Sequence, residues 1–189
     1  MDKFAGLTLV GVAVFALAPP LTAVSAVAAG SHTHGHHHFE FGAPGDAADV
    51  SRTIRVALED TYFEPQKIRI KAGETVRFLL RNNGELVHEF NIGTPHMHEE
   101  HRAEMQMMVD HGVLEVDKIN HEMMKMDMGG GHTMAHDDPN SALLEPGGEA
   151  EIIWTFVQPM ELEFACNVPG HYDAGMAGPF EFVRELTDK

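Results

Sequence analysis

Apolar and polar side chains alternate along seven short segments of the chain. Their inward-facing positions are Ile54, Val56 and Leu58; Ile68 and Ile70; Val76, Phe78 and Leu80; His88, Phe90 and Ile92; Ile152, Trp154 and Phe156; Leu162, Phe164 and Cys166; and Phe180 and Phe182. Because successive side chains of a strand point to opposite faces, this alternation predicts half-buried strands. About seven short strands separated by turns predict an all-β fold, a β-sandwich.

An insertion from about residue 94 to 146 interrupts this pattern and holds nine of the 12 methionines and seven of the 14 histidines. Its first part predicts a helix, with Thr94 as N-cap, Pro95 at the first helical position and Gly112 just past the end. The stretch from about Asn120 to Pro139 is rich in Met, His and Gly, and we expect it to be flexible.

The amino-terminal 29 residues have the layout of a secretory signal peptide. Lys3 precedes an apolar run, a Pro pair breaks that run, and small residues end the segment. The alternative is an uncleaved membrane anchor. Residues 30–49 are rich in Gly, Ala and His and predict a flexible arm. We therefore expect a signal peptide over 1–29, an arm over 30–49 and one domain over 50–189.

The formal net charge is −16, and removing residues 1–29 leaves it unchanged because Asp2 and Lys3 cancel. Nucleic acids and anionic lipid surfaces are therefore disfavoured as partners. After cleavage we expect no stable membrane insertion. The signal predicts export, and we expect a periplasmic location.

Cys166 is the only cysteine of the chain, so it has no intramolecular disulfide partner. It shares strand parity with inward-facing Phe164, as His88 does with Phe90. Turn residues after the cysteine can fold His171 and Met176 back beside the thiol. Taken singly, each residue is better explained by packing, and a catalytic Cys–His pair is disfavoured in so acidic a chain.

One thiolate, two imidazoles and a weak thioether suit a copper ion that alternates between Cu(I) and Cu(II). Zinc would accept the Cys and both His but has little use for the thioether. Calcium and magnesium would require oxygen ligands. Copper is therefore the expected cofactor of His88, Cys166, His171 and Met176.

A His followed much later by a Cys-x4-His-x4-Met loop resembles the cupredoxin family of blue or green copper proteins. The residues are His88 and then Cys166, His171 and Met176, and the resemblance extends over about residues 51–183 without the insertion. It implies a Greek-key β-sandwich carrying a type 1 copper site, here with a helical Met- and His-rich insertion. Within that family the chain resembles the periplasmic copper-tolerance cupredoxins.

The insertion and the arm supply further candidate copper ligands. The four candidates between Met97 and Met108 share one face of the predicted helix. Their thioethers suit Cu(I) but equally suit packing. In the flexible segment we favour copper capture, and in the arm weak capture of Cu(II) or Zn(II). The candidates are Met97, His101, Met105 and Met108 on the helix; His121, Met123, Met124, Met126, Met128, His132, Met134 and His136 in the segment; and His32, His34, His36, His37 and His38 in the arm.

These features favour a copper-tolerance protein that binds copper and undergoes one-electron chemistry, with copper ions as its partners together with a periplasmic redox or copper-handling protein. The alternative is a dedicated soluble electron carrier, which has no need of extra soft ligands. A copper enzyme would require a second copper centre with several histidines, so we expect no enzymatic activity.

Overall fold

The computed structural model describes residues 39–127 and 133–183. The predicted signal peptide over 1–29 lies outside the described residues. So do the arm histidines His32, His34, His36, His37 and His38, and the candidates Met128 and His132.

Two five-stranded sheets form a β-sandwich, as predicted. The first sheet has the order β1-β8-β5-β2-β3 and the second β4-β10-β9-β6-β7. The strands are β1 (Gly42–Pro44), β2 (Arg52–Glu59), β3 (Tyr62–Glu64), β4 (Ile68–Ile70), β5 (Thr75–Asn82), β6 (His88–Gly93), β7 (Ser141–Leu144), β8 (Glu149–Phe156), β9 (Glu163–Ala165) and β10 (Ala177–Phe182). Strand β5 pairs in parallel with β2, and β10 with β4. The other pairs among the described strands are antiparallel.

An aromatic core lies between the two sheets. Phe90 stacks on Phe164 with ring centroids 5.5 Å apart, and Phe63 meets Phe164 edge-on at 5.2 Å. Phe78 and Trp154, from the first sheet, are completely buried in the same cluster. The period-two alternation places each of these rings on the inner face of its strand, so all seven predicted strands are confirmed.

The domain begins earlier than predicted. The composition predicts a flexible arm over residues 30–49, but β1 pairs with β8 and a short 3-10 helix follows at Ala47–Asp49. Phe41 is only 1% exposed, and its ring centroid lies 5.5 Å from that of Trp154. Two apolar rings in a Gly- and Ala-rich stretch give too little alternation to reveal a strand. The assignment of Phe39–Asp49 to the arm is therefore wrong.

The insertion is also shorter than predicted, because β7 pairs with β6 inside the second sheet. Residues 141–144 thus belong to the sandwich, although a four-residue strand carries little periodic signal. The first part of the insertion forms the predicted helix α1 (Pro95–Asp110), with the Thr94 hydroxyl accepting a hydrogen bond from the Met97 amide at 3.3 Å. Gly112 follows with φ of +72°.

A second, smaller hydrophobic cluster lies beneath the insertion. Val87, Val113, Leu114 and Ile119 are buried there with two methionines of α1. A four-residue helix, α2 (His121–Met124), follows and is capped by Asn120. The described part of the segment that we expected to be flexible thus includes a capped helical turn. None of the described helices is both long and apolar enough to cross a bilayer.

Candidate metal centre

Three ligand-type atoms converge at one end of the sandwich. The Nδ1 atoms of His88 and His171 lie 3.2 Å apart. The Sγ atom of Cys166 lies 3.3 Å from Nδ1 of His171 and 4.0 Å from Nδ1 of His88. His88 comes from β6 and Cys166 follows β9, the neighbouring strand in the second sheet. The predicted convergence of these three residues is present in the fold.

The spacing of the three atoms fits a single transition-metal ion. Bonds of about 2 Å to nitrogen and about 2.3 Å to sulfur, at trigonal angles, place such ligand atoms roughly 3.3–3.8 Å apart. The observed separations of 3.2, 3.3 and 4.0 Å bracket that range. Two imidazoles and one thiol form a donor set that a copper ion accepts.

Met176 is completely buried and is held to the cysteine by the backbone. Its carbonyl oxygen accepts a hydrogen bond from the Cys166 amide at 3.0 Å, and its own amide donates to the His171 carbonyl oxygen at 3.0 Å. Gly170 and Gly175 have φ of +86° and +99°, a region that side chains disfavour, so glycine permits both turns. The turns predicted after Cys166 are confirmed.

Burial keeps the side chains of His88, Cys166 and His171 uncharged in the metal-free protein. It raises the pKa of the Cys166 thiol to about 12. It also lowers the pKa of His171 to about 4, with the neighbouring charge of His88 acting in the same direction. Burial likewise lowers the pKa of His88. Two neutral imidazoles with available lone pairs therefore face a thiol, which binds a metal after losing one proton.

Asp60 fixes the ring of His88, and sequence reasoning missed it. Its Oδ1 atom lies 2.9 Å from Nε2 of His88, the nitrogen opposite the converging Nδ1. The same carboxylate accepts hydrogen bonds from the backbone amides of Glu85 and Leu86. Metal-binding histidines characteristically have such a carboxylate on their second nitrogen. A β-carbon on Gly84 would lie 2.2 Å from Oδ1 of Asp60, so this contact requires glycine.

Glu89 contacts Cys166 through its backbone amide and Asn167 through its carboxylate, and sequence reasoning missed it as well. Its amide donates to Sγ of Cys166 at 3.3 Å. Its Oε2 atom accepts hydrogen bonds from the backbone and side-chain nitrogens of Asn167 at 3.0 and 2.8 Å. A charged residue alternating with apolar ones normally faces solvent. Here the insertion covers that face, and Glu89 is 0% exposed.

Six of the methionines predicted as further copper ligands pack in or against the hydrophobic clusters. Met105 and Met108 are buried in the second hydrophobic cluster, and Met97 packs against the main core. Met123, Met124 and Met134 are partly buried against the second cluster. Packing accounts for these positions, and copper binding by them stays a prediction. His121 and Met126 are exposed.

Two of the predicted histidines meet at Glu89. Nε2 of His101 and Nε2 of His136 lie 2.9 and 2.8 Å from Oε1 of Glu89. Burial alone would raise the pKa of Glu89, but these hydrogen bonds lower it well below its usual range. Burial alone would lower the pKa of His101, but Glu89 and Glu104 raise it to about 9. The two histidines and Glu89 therefore form a polar cluster, and Met107, Met108 and Met134 line the same cleft as the histidines.

Comparisons with known proteins agree with this fold. Residues 21–118 match the family model of the cupredoxin-like domain. The copper-resistant cuproprotein CopI of Pseudomonas aeruginosa is 51% identical over 159 residues, which are 81% of this chain and 86% of that protein. The copper-resistant cuproprotein CopI of Rubrivivax gelatinosus is 36% identical over 168 residues, 84% of this chain and 88% of that protein.

Among solved structures, auracyanin B superimposes with a TM-score of 0.54. It is 18% identical and covers 76% of this chain and 97% of its own, which shows a shared fold. The family predicted from the His88 and Cys166-to-Met176 pattern is thus confirmed. The chain belongs to the cupredoxin-like family and, within it, to the group of the CopI cuproproteins.

Proposed function

We propose that this chain is an exported, periplasmic copper-binding protein that serves copper tolerance through one type 1 site formed by His88, Cys166, His171 and Met176. The observation that carries the proposal is the convergence of one Sγ and two Nδ1 atoms within 3.2 to 4.0 Å. Relatives that match more than four-fifths of the chain are named copper-resistant cuproproteins. That function is therefore favoured over a dedicated electron carrier.

A copper ion held by this set would exchange single electrons between Cu(I) and Cu(II), because neither oxidation state is strongly disfavoured by these ligands. The protein's contribution is to hold the ligands still. Cys166 and Met176 are 0% exposed, and backbone hydrogen bonds connect them. Asp60 orients His88, while the Glu89 amide stabilises negative charge on the thiolate.

We propose binding and electron exchange as the activity, rather than enzymatic conversion of a substrate. The buried, neutral thiol is unlike an activated nucleophile, which requires a lowered pKa and an exposed position. Catalysis of a bond-forming reaction by Cys166 is therefore disfavoured.

Expression in a copper-sensitive bacterium tests this function. Full-length protein should restore growth in copper, and the protein recovered from the periplasm should contain bound copper. Cys166→Ala should lose the growth benefit, whereas His96→Ala, on the exposed side of α1, should retain it. Equal growth with wild type and Cys166→Ala would contradict a role of this site in tolerance.

A further inference from the structure

The second polar cluster has the geometry of a metal site that is separate from the copper centre. The nearest ligand atoms of Glu89, His101 and His136 all lie within 4.8 Å of one another. Glu89 is completely buried, and the side chains of His101 and His136 are 13% and 4% exposed. Their two imidazole rings lie nearly parallel, with centroids 5.2 Å apart, so both Nε2 atoms point to Oε1 of Glu89.

The outer nitrogens of both histidines face carboxylates. Nδ1 of His101 lies 2.9 Å from Oε2 of Glu104, and Nδ1 of His136 lies 4.0 Å from Oδ2 of Asp138. Carboxylates in this position fix the ring orientation of metal-binding histidines and raise their basicity. The Ser141 hydroxyl donates to Oε1 of Glu89 at 2.7 Å, which fixes the inner carboxylate as well.

An ion pair alone does not account for this arrangement. A buried carboxylate requires one positive partner, and one protonated imidazole supplies it. The second imidazole, directed at the same oxygen and stacked on the first, adds a further nitrogen donor beyond that pair. One carboxylate with two imidazoles is instead the ligand set of a divalent zinc or copper ion.

The cluster also has a route to solvent. An open cleft of about 410 Å³ is lined by His101 and His136, with Glu104 and Asp138 among its other residues. Two carboxylates beside the opening would attract a cation. Calcium and magnesium would require more oxygen ligands than the cluster offers.

We propose that Glu89, His101 and His136 form a second metal site that binds one zinc-like divalent ion, Zn(II) or Cu(II), on the face of β6 opposite the type 1 centre. This site differs from capture by thioethers, because its donors are two imidazoles and a carboxylate. Its position between α1 and β6 means that the insertion and the sandwich provide ligands together.

The two metal sites are connected through Glu89. Its Oε1 atom belongs to the second site, while its Oε2 atom holds Asn167, the residue after Cys166. This connection rests on the proposed function, since it requires copper at Cys166. Occupation of the second site should shift the thiolate-to-copper absorption band.

The test is a zinc titration of full-length protein that has first received one equivalent of Cu(II). A chromophoric chelator competes for Zn(II), and the number and affinity of bound zinc ions are compared among variants. The double variant His101→Gln with His136→Gln should bind one equivalent fewer than wild type. His96→Gln, an exposed histidine of the same helix, should match wild type. A second equivalent of Cu(II) in place of zinc should add an EPR signal in wild type without adding an intense visible absorption band. The double variant should lack this second signal.

A milder variant keeps the test independent of folding. Glu104 is 66% exposed, so Glu104→Gln should preserve the fold while weakening zinc binding about tenfold through His101. Identical zinc stoichiometry in wild type and the double variant, or an unchanged affinity in Glu104→Gln, would show a hydrogen-bonded cluster only and overturn the proposal. Absence of the thiolate band before zinc is added would instead contradict the proposed function and leave the zinc counts readable.

Discussion

Two clusters of ligand-type residues lie on opposite faces of one strand, and they differ in how the chain builds them. His88 of β6 faces the loop from Cys166 to Met176, where two neutral imidazoles meet a thiol. Glu89, the next residue, faces the insertion, where a carboxylate meets two imidazoles. The first cluster is formed by the sandwich and its own loop, whereas the second requires the insertion to cover the sheet. Consecutive residues of one buried strand thus belong to two sets of ligand-type atoms. One set includes the soft sulfur of a thiol, and the other contains only nitrogen and oxygen atoms.

Removing Glu89 should have the largest effect, because both clusters depend on it. In Glu89→Ala, His101, His136 and Asn167 would lose their shared partner inside the protein. Breaking a buried charged pair in this way costs about 3–5 kcal/mol. Urea unfolding of the metal-free protein measures the loss, and Glu99→Ala, at an exposed carboxylate of α1 outside the cluster, serves as control. A loss below about 1 kcal/mol would show that the second cluster contributes little to folding.

Changes at Asp60 should weaken only the type 1 centre. Asp60→Ala leaves Nε2 of His88 without its carboxylate, and Gly84→Ala would displace that carboxylate through steric overlap. Loss of such a partner lowers metal affinity about 10- to 100-fold. Competition with a chelator measures this, and Glu85→Ala is the matched control because only its backbone contacts Asp60. If Asp60→Ala and Gly84→Ala bind copper as tightly as wild type and Glu85→Ala, the Asp60 contact does not position His88.

The pH dependence of copper binding should reflect a single proton. The pKa of Cys166 is about 12 and that of His171 about 4, so at pH 7 the thiol is protonated while both imidazoles are neutral. Binding therefore releases about one proton, and the apparent affinity should rise about tenfold per pH unit between pH 7 and 8. Calorimetry in buffers of different ionisation enthalpy measures the released protons. Release of no proton would indicate that the metal is bound without the thiolate.

The methionines of α1 should give the smallest effect. Met105 and Met108 are 0% and 6% exposed in the second hydrophobic cluster. Replacing either by Leu preserves volume and should cost less than about 1.5 kcal/mol. If packing is their role, the number of Cu(I) ions bound under reducing conditions stays the same in Met105→Leu and Met108→Leu. A loss of bound Cu(I) would show that these thioethers bind the ion, as the helix pattern had suggested.

The sequence predicted most of the fold because seven segments alternate clearly. Strands β1 and β7 were missed because Gly-Ala-Pro and Ser-Ala-Leu-Leu show no alternation of apolar and polar residues. The ligands His88, Cys166, His171 and Met176 were found because strand parity and a spaced loop are local features. Asp60 was not found, because a turn 28 residues before His88 brings it to the ring. Glu89 was not found, because only the covering insertion makes its strand face buried.

The measurement that tests the central claim most directly is a Cu(II) titration of the protein followed by visible absorption and EPR. We predict an intense thiolate-to-copper band that saturates at one equivalent and is absent in Cys166→Ala, while further copper binds without colour. A titration that gives no such band in the wild-type protein would show that Cys166 is not a copper ligand, and would contradict the type 1 centre.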